Sequence, residues 1–300
     1  MTNRGKIKIY APADTVDTLG FDYNNPNSLL KNIKGDECYN LNLLINRFAI
    51  FDKNYKADIK FNHGVFRSKN WKGSFEDSKK VYIERFRNII NILEQQNINI
   101  RKDRYKIDWR LAVGLGEASV YETSIKLHHI YGFPYIPAST FKGSLRSWVI
   151  NCYFDGKEDK ALKDSFFAYV FGTTGSETSE GSQGNVIFFD VYPITVPIIE
   201  LDIINTHYSD YYKDGMSSPP GDYYSPILVN FLTVTEAVFE FIYGYDNKYK
   251  EISFKDSILF KGEPDEIISQ WIKNALNYQG IGAKTSVGYG YFRKYNGNLR

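Results

Sequence analysis

An α+β fold with a ferredoxin-like core is what this 300-residue sequence predicts, and three observations predict it. From residue 107 onward the hydrophobic spacing runs in the order strand, helix, strand, strand, helix, strand. Each of the two helical stretches gathers its apolar residues on one stripe, as a helix does when it covers one face of a sheet. Hydrophobic residues make up 43% of the chain against 24% charged, enough for a sizeable core.

The elements follow in order. KIDWRLAVGLG, from Lys106, reads as a short strand running into a glycine-broken turn. A helix then starts near Ser139, its expected cap, with Phe141, Leu145, Trp148, Val149 and Cys152 at helical spacing. GNVIFFDVYPI (184–194) and AVFEFIYGY (237–245) read as strands, rich in branched and aromatic residues and bounded by Gly or Pro. Pro264 opens a second helix with the stripe Ile267, Ile268, Trp271, Ile272 and Ala275, and Gly280 closes it. A final strand is expected around SVGYGYFRKY.

Ahead of this core (107–300) lies an expected N-terminal helical extension (1–106) packed on it. Leu41, Leu44, Ile45, Phe48 and Phe51 share one helical face there, and Tyr82, Phe86, Ile89, Ile90 and Leu93 share another. Residues 1–35 and 52–75 read as loops. Two long polar insertions interrupt the core, at 172–184 and 206–226. The second contains five Tyr, including Tyr208, Tyr211 and Tyr212, which suit contact with an RNA base or with another subunit.

Composition narrows the function. A net charge of +2 means that any polyanion site is a local patch or is shared with other subunits. Cys38 and Cys152 give no disulfide framework, and no His, Cys or carboxylate spacing suits a metal. No metal and no cofactor are therefore expected. The N-terminus lacks a signal-like apolar run and no stretch approaches a membrane span, so a cytoplasmic protein with no membrane contact is expected.

Three segments could carry chemistry. In GIGAKTSVGYGYF (280–292), Gly280 and Gly282 allow a backbone to approach a ligand, and Lys284 and Thr285 add a cation and a hydroxyl. A nucleotide-hydrolase loop would need glycines where Ala283 and Tyr278 stand, so that reading fails on spacing. What fits is a polymer phosphate held by backbone amides. In PYIPASTFKGSLRSW (134–148), Lys142 sits in a first helical turn, where the macrodipole disfavours a cation unless an anion joins it. Ser139, Thr140, Lys142 and Arg146 would hold such an anion together. In SIKLHHIYG, His129 could bind a phosphate, or act as general base in a metal-independent ribonuclease.

Taken together, GLGEASVYET (114–123), LHHIYGFPYIPASTFKGSLR (127–146), QGNVIFFDVYP (183–193), LDIINTHYSDYY (201–212), SPILVNFLTV (225–234) and GIGAKTSVGYGYF (280–292) resemble the RAMP proteins of type III CRISPR systems. Within that superfamily they resemble the sixth-subunit family of the Cmr (type III-B) effector complexes. The resemblance covers residues 107–295. It implies an RNA-recognition-motif-like core of the backbone-subunit kind, carrying insertions. It also implies a non-catalytic structural role in antiviral defence, binding guide RNA and target RNA near the guide's 3′ end in a hetero-oligomer with other Cmr-type subunits. The alternative within the same superfamily is a guide-processing endoribonuclease. Many members carry Gly where Ala138 stands here, which alters the turn ahead of the helix.

Overall fold

The expected strand–helix–strand–strand–helix–strand order is present in a computed structural model that describes residues 8–9, 40–47, 50–51, 69–174, 181–206, 211, 219 and 226–297. In chain order its helices are α1 (Leu41–Arg47), α2 (Lys69–Gln95), α3 (Ala138–Tyr153), α4 (Glu158–Ala161), α5 (Ser165–Phe171) and α6 (Pro264–Asn274). Its strands are β1 (Lys8–Ile9), β2 (Ile50–Phe51), β3 (Ile98–Ile107), β4 (Gly172–Thr173), β5 (Ser182–Gln183), β6 (Val186–Phe188), β7 (Tyr192–Pro193), β8 (Ile198–Thr206), β9 (Ile227–Glu236), β10 (Val238–Asp246) and β11 (Phe292–Lys294). The chain divides into two units, neither continuous in sequence. One comprises Met1–Phe75, Gly114–Phe133 and Ile198–Val234; the other comprises Glu76–Val113, Pro134–Pro197 and Thr235–Arg300.

The second unit carries the ferredoxin-like core. Its sheet runs β11–β3–β10–β6, with β7 pairing β10 beyond this path. Every pairing in it is antiparallel. Numbered within the core, that is strand order 4-1-3-2, with α3 joining the first strand to the second and α6 joining the third to the fourth. Opposite residues share a face: Tyr105 lies across from Phe239, and Arg104 across from Glu240. Tyr105, Phe239, Phe241 and Phe292 are fully buried. Phe141 of α3 meets Phe241 at 5.1 Å and Phe188 at 5.2 Å, both edge to face. Such ring pairs add roughly 0.5–1.5 kcal/mol each beyond the area they bury.

Residues 76–106, expected in the N-terminal extension, belong to this unit. The first core strand is Ile98–Ile107, ending where the sequence reading begins one. Its pattern is masked because Lys102, Arg104 and Lys106 alternate with residues of which only Tyr105 and Ile107 are buried. The stretch expected as one strand over 184–194 splits into β6 and β7, with Asp190 turned away between them to bond the start of α3. On α2, Ile90 is buried but Ile89 is exposed, because one residue turns the helix by about 100°. Cys152 is likewise exposed on α3.

Asp164 is the buried polar hub of the unit. Only 4% exposed, it caps α5 through the Phe166 and Phe167 amides, at 3.0 and 2.9 Å. It also accepts from the Ser257 hydroxyl and the Ile258 amide. Asp164→Ala leaves these donors without an acceptor and is expected to lower stability by about 3 kcal/mol. A thermal melt checks this, and Asp164→Asn, which keeps one oxygen, should lose less.

In the first unit, β1 pairs with β2 antiparallel and β8 with β9. Leu41 and Ile45 of α1 are buried, as their shared face requires, whereas Phe51 stands in a strand and Phe48 lies outside the described residues. The Asn40 amide donates to the carbonyls of His129 and Ile130, both at 2.9 Å, tying α1 to the 114–133 segment. The ends of the 172–184 insertion, in the other unit, pair as β4 and β5. Among the described residues no helix is long and apolar enough to cross a membrane.

Candidate nucleic-acid interface

Helix α3 positions the first candidate group. It starts at Ala138, with Pro137 in the cap position and no side-chain cap. Ser139 therefore sits inside the first turn and does not cap it. The Ala138 amide instead donates to Asp190 Oδ1 at 2.7 Å, and that carboxylate also accepts from the Tyr192 hydroxyl. The negative charge expected at this helix start is thus partly supplied from within the chain.

Lys142 and Arg146 follow one turn apart. The Arg146 guanidinium donates to Glu158 Oε1 at 2.6 Å and lies 5.3 Å from the centre of the Phe167 ring. Lys142 is half-buried. Burial pushes its ammonium below the usual lysine range, and the neighbouring Arg146 charge pushes it the same way. Among the described residues no carboxylate pairs with it. An ammonium held partly out of water beside a second cation gains most from an incoming anion.

The glycine segment is built differently from the amide nest expected. The Gly280, Ile281, Ala283 and Gly290 amides donate to the carbonyls of Ala275, Gly290, Ala112 and Arg110, at 2.7–2.9 Å. Those of Val287, Gly288 and Tyr289 close on Lys284 and Thr285. These seven amides hold the segment to itself, to the turn that follows α6 and to the chain after β3, so they are not available to a phosphate. Gly282, at φ +96°, lies so close to the Ala112 carbonyl that a Cβ would sit 2.4 Å from its oxygen. Lys284 takes a left-handed backbone at φ +61°, ahead of a 3-10 turn over Thr285–Val287. The segment also carries the Lys284 ammonium and the Thr285 and Ser286 hydroxyls.

The segment meets α3 through Gln279, whose side-chain amide donates to the Ser144 carbonyl at 3.1 Å, and through Tyr278, which stacks on Trp148. At 3.6 residues per turn, Ser144 and Trp148 stand about 160° around the helix from Lys142 and Arg146. Both pairs flank the buried stripe of Phe141, Leu145 and Val149, on opposite sides. The sequence places the two candidate segments near each other; the structure puts them on two flanks of one helix.

His129 belongs to the other unit. It is exposed, with its ring parallel to His128 at 5.0 Å. His128 Nδ1 accepts from the Ile130 and Tyr131 amides, both at 3.2 Å, and so shapes the turn. Tyr211 is half-buried, while Tyr208 and Tyr212 lie outside the described residues. No group of His, Cys, Asp or Glu among the described residues could hold a metal. The sequence reading missed Asp190, Gln279 and the exposed rings of Trp109 and Tyr278. Trp109 left a signal, a large aromatic between Asp108 and Arg110 at a strand end.

The family model of the RAMP superfamily matches residues 109–293. The chain is 32% identical over 265 residues to the CRISPR system Cmr subunit Cmr6 of Pyrococcus furiosus, covering 72% of this chain and 73% of that protein. It is 26% identical over 304 residues to the Cmr6 subunit of Saccharolobus solfataricus, covering 97% and 91%. Among solved structures, a chain of a type III-B Cmr-β complex bound to cognate target RNA superposes with a TM-score of 0.52 at 22% identity, covering 79% of this chain and 71% of that one. At that identity the likeness speaks for the fold.

Proposed function

The chain belongs to the RAMP superfamily and, within it, to the Cmr6 subunits of type III-B CRISPR systems, and from that premise we propose that it is a non-catalytic RNA-binding subunit of a Cmr-type effector complex. It holds guide RNA and target RNA by their backbones near the guide's 3′ end, alongside other Cmr subunits. The observation that carries this reading is Lys142, half-buried beside Arg146 and without a carboxylate partner among the described residues. A phosphate there relieves the repulsion between the two cations. Ser139, three residues before Lys142, supplies a hydroxyl on the same flank, while Thr140, Lys284 and Thr285 serve the other flank of α3. The alternative, a ribonuclease, would place its general base at His129, which is exposed beside His128.

The test is a pH series of single-stranded RNA binding to the full chain. Lys142 starts from a lowered pKa in the free protein, and a phosphate raises it in the complex. Affinity should hold steady below the lowered value and weaken as pH rises through it, in the alkaline range but before an ordinary lysine loses its proton. Lys142→Arg should remove that decline, because a guanidinium stays charged throughout. A flat profile in the unaltered chain would place the phosphate elsewhere. Metal-free cleavage of a repeat-containing RNA, lost on His129→Ala, would replace the non-catalytic reading altogether.

A further inference from the structure

Two exposed aromatic rings bracket the glycine segment, and backbone binding uses neither. Tyr278 is 71% exposed, in the π-helical turn over Ala275–Gln279, with its ring parallel to the Trp148 indole at 6.1 Å and 16°. Trp109 is 52% exposed, with the Tyr289 ring at 5.0 Å and the Arg110 guanidinium 5.6 Å from its centre. Gly288 lies against its edge.

Isolated exposed apolar residues are ordinary on protein surfaces. Here, however, both ends of one segment present a large ring, each backed by a second aromatic that fixes its orientation. Such a ring loses little conformational freedom when a flat partner settles on it. The stretch between them decides which partner fits. Gly282, Lys284, Thr285 and Ser286 are small, cationic or hydroxylic, and only Val287 is apolar and exposed. A protein-docking hot spot sits in an apolar, desolvated surround. A single-stranded nucleic acid asks for stacking faces set beside polar and cationic groups.

We propose that Tyr278 and Trp109 stack unpaired bases of single-stranded RNA, with the glycine segment along the backbone between them. This rests on the reading of the chain as an RNA binder, and it adds base contact to backbone contact. Stacking has no base preference, so it suits a subunit that must accept any guide.

The experiment compares an ordinary single-stranded RNA with an abasic oligoribonucleotide of equal length, bound to the full chain. Trp71 and Trp271 are buried, so RNA-dependent quenching of tryptophan emission reports on Trp109 and Trp148. The base-bearing RNA is expected to bind more tightly and to quench. Tyr278→Ala and Trp109→Ala should each weaken it, roughly five- to fiftyfold, and leave the abasic affinity unchanged. That unchanged abasic affinity shows that the alanine variants fold, and Tyr278→Phe and Trp109→Phe, which keep a ring, should restore most of the loss. Lys142→Ala should weaken both oligomers alike. If both oligomers bind equally and the alanine variants bind like the parent, stacking is overturned while RNA binding stands. If the alanine variants keep RNA binding but fail to enter a reconstituted effector complex, the rings dock a protein and the proposal is wrong. If neither oligomer binds, both readings fall.

Discussion

Replacing Lys142 and Arg146 together by alanine is expected to lower the affinity of the full chain for single-stranded RNA by roughly a hundredfold near 0.1 M salt. The slope of log affinity against log salt should fall by about 1.4, because each phosphate contact on a single strand contributes about 0.7. The loss should be uniform across RNA sequences, since a phosphate contact carries no base information. The two single variants should be unequal. Arg146 already shares its charge with Glu158, so its removal subtracts less from the local field. Lys142, with no such partner among the described residues, should account for most of the effect. The fold should survive, because a half-exposed pair such as Arg146–Glu158 contributes about 0–1 kcal/mol. Filter binding across a salt series reads both quantities. An unchanged slope would remove these two cations from the interface, and Lys284→Ala would then test the other flank of α3.

Gly290→Ala is expected to act first on the fold, with a large loss of stability. A Cβ at Gly290 would lie 2.0 Å from the Ile281 carbonyl oxygen, and the backbone there has φ +75°. The same residue donates to the Arg110 carbonyl at 2.7 Å and accepts from the Ile281 amide at 2.9 Å. The chain cannot move aside without breaking both bonds. Left-handed strain of about 1–2 kcal/mol adds to that displacement, for a total near 4 kcal/mol. That corresponds to a fall in the unfolding midpoint of roughly 10 °C. Calorimetry reads the stability. An unchanged melt would mean that the segment accepts the methyl without parting from Ile281.

Much of the fold is legible in the residues. The apolar stripes of α3 and α6 and the aromatic run of β10 come from local spacing, and the structure contains all three. Strand β3 is not legible in the same way. Its charged alternate positions belong to the face opposite Tyr105 and Ile107 and break the apolar run that marks a strand, so the stretch up to residue 106 is expected in the helical extension. The Ser139 cap fails for a related reason. A carboxylate 52 residues away reaches the Ala138 amide, and no local rule anticipates a distant partner.

By itself, the sequence determined the order of elements, the ferredoxin-like class, the superfamily, and the residue types that could meet a phosphate. These rest on periodicity and motif, which are properties of neighbours along the chain. The tertiary structure alone decided which of those residues face the same way. It closed the glycine amides on the chain's own carbonyls, set Asp190 at the start of α3, and parted Lys142 and Arg146 from the glycine segment by nearly half a turn of helix. Those outcomes depend on which segments pack together, and packing between distant segments leaves no period in the sequence.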